Sequence, residues 1–337
     1  MTGELISHLS KLILILLIGS IVDVGPATMP TTAPTTAPTT QPRGAVGLIR
    51  AEDILNDVKF LASDALGGRA SDHEGGHLAA EWLADQFENA GLEKIKQNSK
   101  SKPSYFHPIM RRDFSPNVVG VRRGASIDRF ILITAHYDHL APAKPNKKTT
   151  REGDVIYNGA DDNASGVAGM LAIARATQDL ELDATLVFVG FTGEEVGMYG
   201  SKEFSRRPPI QIKKIIAMFN MDMISRGVPG VVYVDGADNA DPLRKALRKS
   251  NEMHHLGMDI RFDEHPDWLL RSDQAPFLRR GVPAILLSVD GHPDYHQVTD
   301  EADRIDPQLA AQVSQLVCGA VIETAKPKEP KESKRRR

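Results

Sequence analysis

The feature that most constrains the fold is a series of short apolar runs that alternate with helical stretches along most of the chain. The runs span residues 117–121, 130–135, 185–191, 215–220, 231–234 and 284–289. Because they lack polar alternation, the strands they predict must be covered on both faces. Helices are predicted over 51–63, 77–90, 165–176, 198–206, 241–251, 273–279 and 307–324. The alternation predicts an α/β fold, a three-layer αβα sandwich around a central mixed, largely parallel sheet.

The two ends of the chain have a different character. An apolar run of eleven residues, 12–22, is too short for the ~20 residues that span a bilayer and fits the apolar part of an export signal. Residues 1–27 are therefore predicted to be a signal peptide or an N-terminal anchor that tethers the protein to a membrane. A Thr/Pro repeat predicts an extended linker over 28–46. One folded domain would then cover 47–325, before a basic disordered tail over 326–337. The expected location is exported: periplasmic, extracellular or membrane-tethered.

Charge and cysteine content exclude several classes of function. The chain has 41 Lys and Arg against 44 Asp and Glu, a net charge of −3. The tail alone carries seven basic and two acidic residues, so the body is near −8, which argues against a nucleic-acid partner. Cys318 is the only cysteine, so an intrachain disulfide or a thiolate metal site is excluded, and Cys318 is predicted to be a core residue.

Polar side chains follow four of the apolar runs directly, and a fifth group lies in a Gly/Asp-rich loop over 158–166. Because ligands bind beyond the carboxyl ends of parallel strands in open α/β sheets, we expect these side chains to share one crevice. In chain order they are His136, Asp138, Asp162, Glu194, Glu195, Asp222 and His296.

Two histidines with several carboxylates and no cysteine suit zinc or a similar divalent ion. Three carboxylates, Asp162, Glu195 and Asp222, with neutral His136 and His296 would bring a charge of −3. One divalent ion would be over-neutralised by this set, whereas two ions need only one bridging hydroxide. If one carboxylate bridges, each ion has three protein ligands and keeps the open position of catalytic zinc sites.

Two further residues have predicted roles beside the ligands. Glu194 is adjacent to Glu195 but is not needed to bind metal, so it is placed to take a proton from water and pass it to a leaving amine. Asp138 lies two residues after His136 and can accept the second imidazole N–H, which would fix the histidine tautomer.

The motifs around these residues resemble the co-catalytic dizinc exopeptidases typified by bacterial leucyl aminopeptidases. The resemblance rests on blocks in the same order and spacing, and it covers roughly residues 51–323. These blocks are Leu66-Gly67-Gly68-Arg69, His136-Tyr137-Asp138, Gly159 to Gly166, Gly193 to Ser201, Asn220-Met221-Asp222-Met223 and Tyr295-His296.

The resemblance implies a role for each ligand. Asp162 would bridge the ions, His136 and Asp222 would complete one site, and Glu195 and His296 would complete the other. It also implies that Glu194 is the general base and that the peptide bond after Asp162 is cis. The expected activity is that of an aminopeptidase acting on peptide or protein N-termini.

A second match to a zinc motif is not expected to bind metal. His73-Glu74-Gly75-Gly76-His77 fits the His-Glu-x-x-His pattern of single-zinc metalloproteases. Two central glycines cost about 1 kcal/mol each relative to alanine in a helix, so we expect a loop that leads into a helix at residue 77. Five other histidines are predicted to be loop residues, of which the last is close enough to line the pocket. They are His139, His254, His255, His265 and His292.

Three alternatives stay open at this level. A glutaminyl cyclase-like acyltransferase would use a single zinc ion. A carboxypeptidase or a dipeptidase would share every ligand and differ in the pocket, where Trp268-Leu269-Leu270 could form a specificity wall. A non-catalytic binding module would have lost ligands, and this sequence keeps all of them. At Ser272-Asp273-Gln274 the chain departs from the Ser-Asp-His of many relatives, which leaves a polar role for Gln274 open.

Overall fold

A computed structural model describes residues 44–98, 100–144 and 148–327. The predicted signal segment, linker residues 28–43 and tail residues 328–337 lie outside the described residues. Val46, placed by prediction in the linker, is fully buried, so the folded domain includes at least one residue before the expected start at 47. None of the helices within the described ranges is long and apolar enough to cross a membrane.

Nine strands in the described residues form one sheet. They are β1 (Glu93–Lys94), β2 (Phe106–His107), β3 (Asn117–Arg122), β4 (Phe130–His136), β5 (Thr185–Phe191), β6 (Ile215–Met221), β7 (Val231–Asp235), β8 (Asp259–Phe262) and β9 (Ala284–Ser288). The α-helices are α1 (Ala51–Leu61), α2 (Glu74–Asn89), α3 (Gly166–Ala176), α4 (Tyr199–Arg206), α5 (Asp241–Met253), α6 (Ala275–Leu278) and α7 (Pro307–Thr324). Short helical turns cover Gly44–Leu48, Asp64–Arg69, Ala160–Ser165, Ile212–Lys214, Ala237–Asn239 and Trp268–Leu270.

The sheet is mixed with a parallel centre, as predicted. Its strand order is β1-β3-β5-β4-β6-β9-β7-β8, and β2 pairs with β3. Strands β5, β4, β6 and β9 run parallel to one another, whereas β3 and β7 are antiparallel to β5 and β9. All six predicted strands form. The three that were not predicted, β1, β2 and β8, are short and lie at the edges of the sheet, where no continuous apolar run is needed.

Residues on the two faces of the sheet enter two separate apolar clusters, which confirms the three layers. Along β5, Leu186 and Phe188 pack into the cluster that contains α1, α2, α3, α5 and α7. Their neighbours Val187 and Val189 point the other way and pack with Phe204 of α4 and with α6. Cys318 lies fully buried in the first cluster, as expected.

Helix α2 begins three residues earlier than predicted, and the expectation of a loop at the glycine pair is wrong. A Cβ on Gly75 would lie 1.7 Å from the Leu66 carbonyl oxygen, and one on Gly76 would lie 2.4 Å from that of Ala70. The glycines therefore allow a close approach between this first helical turn and the preceding segment. His73 and His77 are exposed; His73 directly precedes the helix, and His77 lies in its first turn. That the motif binds no metal stays a prediction.

Candidate metal centre

The carboxyl ends of the parallel strands gather the five predicted ligands into one pocket. His136 ends β4, Asp222 directly follows β6, and Glu195 lies in the loop after β5. Asp162 lies in the turn before α3, and His296 lies in the loop after β9. All five line the same pocket. The convergence follows from the sheet, because parallel neighbours present their carboxyl ends at the same edge.

One set of donor atoms surrounds His136. Its Nε2 lies 3.3 Å from Asp162 Oδ1 and 3.3 Å from Asp222 Oδ1. Two donors bound to one tetrahedral zinc ion at about 2.0–2.1 Å lie roughly 3.3 Å from each other. The spacing therefore fits three ligands of a single zinc ion.

A second set uses the other oxygen of Asp162. His296 Nε2 lies 3.2 Å from Asp162 Oδ2 and 3.1 Å from Glu195 Oε2. This nitrogen is buried and makes no well-formed hydrogen bond among the described residues, although two carboxylate oxygens lie so close. A shared cation accounts for that geometry. Asp162 thus presents one oxygen to each set, and the donors fit two zinc ions.

His139 also belongs to this region; it lies in a loop, as predicted, but the sequence did not indicate its contact with a predicted ligand. Its side chain is fully buried, and Nδ1 lies 2.6 Å from Glu195 Oε1. His139, Asp162 and Glu195 form a compact group of possible ligand atoms. The sequence signal was its position, since it directly follows Asp138 in the turn that already carries His136. His292, by contrast, does not line the pocket; its Nε2 lies 3.3 Å from Asp161 Oδ2.

The backbone around Asp162 is held from two sides. The Asp300 carboxylate accepts hydrogen bonds from the N–H groups of Asp161 and Asp162, each 3.1 Å long. Arg69 is fully buried and donates to the carbonyls of Gly159 (2.6 Å) and Asp162 (3.2 Å). Burial lowers the pKa of Arg69 to about 10. The peptide bond after Asp162 is cis, as the resemblance implies.

Asp138 orients His136 through its main chain, which corrects the predicted contact. His136 Nδ1 lies 3.1 Å from the Asp138 carbonyl oxygen but 3.8 Å from the nearer carboxylate oxygen. The carboxylate is engaged elsewhere, because it accepts hydrogen bonds from Ser71 Oγ (2.8 Å) and from the backbone N–H of Glu194 (3.2 Å). Asp138 therefore holds both a predicted ligand and the segment that carries the predicted base.

Burial and neighbouring charge separate the carboxyl groups of the site. Burial raises the pKa of Glu194 well above its usual range, and nearby Asp273 adds to the effect. Burial also opposes ionisation of Asp162, but the close imidazoles of His136 and His296 hold the pKa of Asp162 well below its usual range. Burial raises the pKa of Asp273 to about 7. The environment of Asp162 thus favours the ionised form, whereas burial of Glu194 favours the protonated form.

The pocket has a volume of about 460 Å³ and combines the polar residues with an apolar wall. Trp268 lies in that wall, whereas Leu269 and Leu270, the other two residues of the suggested specificity wall, are not among the lining residues. The other apolar lining residues are Met198, Met223, Leu286 and Val289. A second cavity of about 490 Å³ lies near Phe130, at the amino end of β4. Its one carboxylate, that of Glu93, pairs with Arg123 at 2.8 Å, so this cavity offers no set of metal ligands.

Gln274 has a defined polar role in spite of its departure from the Ser-Asp-His pattern. Its side chain is fully buried, and Nε2 donates to the carbonyls of Trp268 (3.3 Å) and Leu269 (3.0 Å). Its Oε1 accepts a hydrogen bond from Asn220 Nδ2 at 3.1 Å. Gln274 therefore connects the turn that carries Trp268 to strand β6.

Residues 117–321, more than half of the chain, match Peptidase family M28. Aminopeptidase YwaD of Bacillus subtilis is 26% identical over 235 residues, which are 66% of this chain and 47% of that protein. The chain thus spans about half the length of this relative. A zinc aminopeptidase structure from Bacillus subtilis aligns with a TM-score of 0.66 and 16% identity, over 84% of this chain and 97% of that one. The glutaminyl cyclase of Porphyromonas gingivalis aligns with a TM-score of 0.63 and 20% identity, over 82% of this chain and 99% of that one.

At these identities the solved structures show a shared fold and nothing finer. The sandwich and the paired donor sets define the class, that of αβα proteins with a candidate metal centre at the carboxyl ends of the parallel strands. The family match is more specific, and the chain belongs to Peptidase family M28.

Proposed function

We propose that this protein is a dizinc aminopeptidase that removes N-terminal residues from peptides. The observation that carries the proposal is the position of Asp162, whose two oxygens face two separate donor sets. Oδ1 lies 3.3 Å from His136 Nε2, and Oδ2 lies 3.2 Å from His296 Nε2. A single-zinc acyltransferase needs only one such set.

Bound zinc ions would polarise the scissile carbonyl and make water a nucleophile near neutral pH. The residues of the chain supply the proton transfers. Glu194 lines the pocket next to Glu195 and takes one proton from the attacking water. It then delivers that proton to the nitrogen of the leaving peptide, so one carboxylate acts as base and as acid in turn. Asp138 supports this role because it fixes the Glu194 backbone N–H.

The pocket has more acidic than basic side chains. Its lining contains four carboxylates, those of Asp162, Glu194, Glu195 and Asp222, and one permanently cationic side chain, that of Arg271. Arg271 lies 3.7 Å from Asp267 and is largely exposed. Two zinc ions would bring four positive charges and offset the four carboxylates, so these side chains alone do not select an α-ammonium group over an α-carboxylate. The choice of an aminopeptidase is supported by similar proteins that are named aminopeptidases.

The apolar wall favours a large apolar first residue. Trp268, Met198 and Leu286 face the pocket from three different elements and leave a volume suited to a side chain of leucine size or larger. Because burial of apolar surface yields about 25 cal/mol per Å², leucine should be preferred to alanine at this position.

The decisive variant is Glu194→Gln. It keeps the shape of the side chain but cannot accept the proton, so hydrolysis of leucyl anilide should fall at least 1,000-fold while about two zinc ions per chain remain bound. Glu203→Gln is the matched control, since Glu203 is also buried but lies on α4. Near-normal hydrolysis by Glu194→Gln would remove this residue as the base.

Substrates blocked at one end separate the alternatives. The proposal requires cleavage of C-terminally amidated peptides and no cleavage of N-acetylated ones. The opposite pattern indicates a carboxypeptidase, and action on dipeptides alone indicates a dipeptidase. Cyclisation of an N-terminal glutaminyl peptide by protein with one zinc ion indicates the glutaminyl cyclase alternative.

We also propose that the protein is exported. The support is the apolar run over residues 12–22 and the Thr/Pro repeat that follows it. Expression of the full chain and mass spectrometry of the mature N-terminus test this. Recovery of intact, uncleaved protein from the cytoplasm would contradict it.

A further inference from the structure

His139 is packed against the second donor set without the geometry of a ligand. Its Nδ1 lies 2.6 Å from Glu195 Oε1 and 3.8 Å from Asp162 Oδ2. Two ligands of one tetrahedral zinc ion lie roughly 3.3 Å apart, so 2.6 Å is too short for a shared ion. It lies just below the roughly 2.7–2.9 Å of a charge-assisted N–H···O hydrogen bond to a carboxylate, which it matches far better. His296 has the ligand spacing instead, at 3.2 and 3.1 Å from the same two carboxylates.

The two carboxylate oxygens of Glu195 have different partners. Oε1 accepts the hydrogen bond from His139, whereas Oε2 lies 3.1 Å from His296 Nε2 and faces the second donor set. With Oε1 occupied, the carboxylate can offer only one oxygen to an ion, in a fixed direction.

The surroundings of His139 hold its ring in this orientation. The side chain is fully buried, and a Cβ on Gly159 would lie 2.4 Å from its Cδ2. Its ring also meets that of His296 edge to face, with centroids 5.7 Å apart. His139 thus packs between the Asp162 loop and a predicted ligand, where a rotation of the imidazole is obstructed.

We propose that His139 is a positioning residue that makes Glu195 a one-oxygen ligand and thereby sets the affinity of the second zinc ion. The proposal rests on the two-zinc site of the proposed function. Asp138 and His139 then act as a pair, because Asp138 fixes the backbone of Glu194 while His139 fixes the side chain of Glu195. Outer hydrogen-bond partners of this kind are typically worth 10–100-fold in metal affinity.

The test measures zinc affinity without substrate, by competition between the full-length protein and a chromophoric chelator. In His139→Asn the amide nitrogen occupies nearly the place of Nδ1, so both affinities should stay within about 3-fold of the original. In His139→Gln and His139→Leu that donor is displaced or lost. We expect one of the two ions to bind 10–100-fold more weakly in both variants, while the other is retained.

A buried histidine away from the site provides the matched control. His107 contacts the Arg207 carbonyl through Nε2 at 3.2 Å. His107→Leu should lower the melting temperature without changing either zinc affinity, which separates positioning from general stability. His139→Gln gives a polar variant if His139→Leu does not fold.

Two results would overturn the proposal. One is unchanged affinity for both ions in His139→Gln and His139→Leu. The other is loss of an ion in every His139 variant, Asn included, together with retention of two ions in His296→Ala, because His139 would then be the ligand. Failure of the proposed function looks different, since the protein would bind two zinc ions as described but not hydrolyse N-terminal residues.

Discussion

Replacement of Arg69 by methionine tests how strongly one buried side chain stabilises the loop that carries Asp162. The guanidinium donates hydrogen bonds to five main-chain carbonyls that come from three parts of the chain. They belong to Leu61, Tyr137, Asn158, Gly159 and Asp162. The last three lie in the loop that carries Asp162, the proposed bridging ligand, so the substitution frees that loop and leaves five acceptors without this donor.

The expected loss of stability follows from these contacts. A typical hydrogen bond contributes about 1 kcal/mol net, and more when the donor is charged. At about 1 kcal/mol each, five bonds give about 5 kcal/mol; the charge of the donor raises this figure, and water or neighbouring groups that replace some of the bonds lower it. We expect the free energy of unfolding to fall by roughly 3–5 kcal/mol, a large part of the ~5–15 kcal/mol of a typical domain. Zinc affinity should fall as well.

Urea unfolding of the zinc-free proteins measures the first effect, and chelator competition measures the second. Arg122→Met is the matched control. Arg122 also donates to main-chain carbonyls, those of Ala90, Ala174 and Gln178, but it lies at the end of β3. Arg122→Met should lower the free energy of unfolding by about 1–2 kcal/mol and leave zinc binding unchanged. If Arg69→Met costs no more than Arg122→Met, or if its zinc affinity is normal, the argument is refuted.

Two further predictions concern the pocket wall and the core. Trp268→Ala should reduce the preference for leucyl over alanyl substrates about 10-fold, since the loss of a few methylene-sized contacts is worth 1–3 kcal/mol. The zinc content of the variant should not change. An unaltered ratio of kcat/KM for the two substrates would show that Trp268 does not contact the substrate side chain. Burial raises the pKa of the Cys318 thiol to about 12, so at pH 8 iodoacetamide should leave the folded protein unmodified and label it fully in urea; rapid labelling of the native state would contradict the buried position.

The centre of the fold could be predicted because its signal is local. Runs such as residues 185–191 are apolar throughout, and only a strand covered on both faces explains them. The pocket followed from the same signal, since polar residues directly after such strands must meet at one edge. Edge strands such as β8 have no equivalent pattern, because charged Asp259 and Arg261 are tolerated there.

The parts that escaped prediction depend on contacts between distant segments. The early start of α2 requires knowledge of the Leu66 carbonyl that lies against Gly75. The role of His139 depends on Glu195, 56 residues further along the chain. The two-residue separation of His136 and Asp138 correctly indicated that the two residues interact. The hydrogen bond from Ser71 that occupies the Asp138 carboxylate could not be foreseen.

The five predicted metal ligands are spread along the chain from His136 to His296. Only the completed sheet brings them together. This chain has a single cysteine and so cannot form covalent links between its own segments. Two bound ions would join five separate segments of the chain to one another, and would do so reversibly. Since a ligand that binds only the folded state stabilises it, zinc supply would govern how well this protein resists heat and proteolysis.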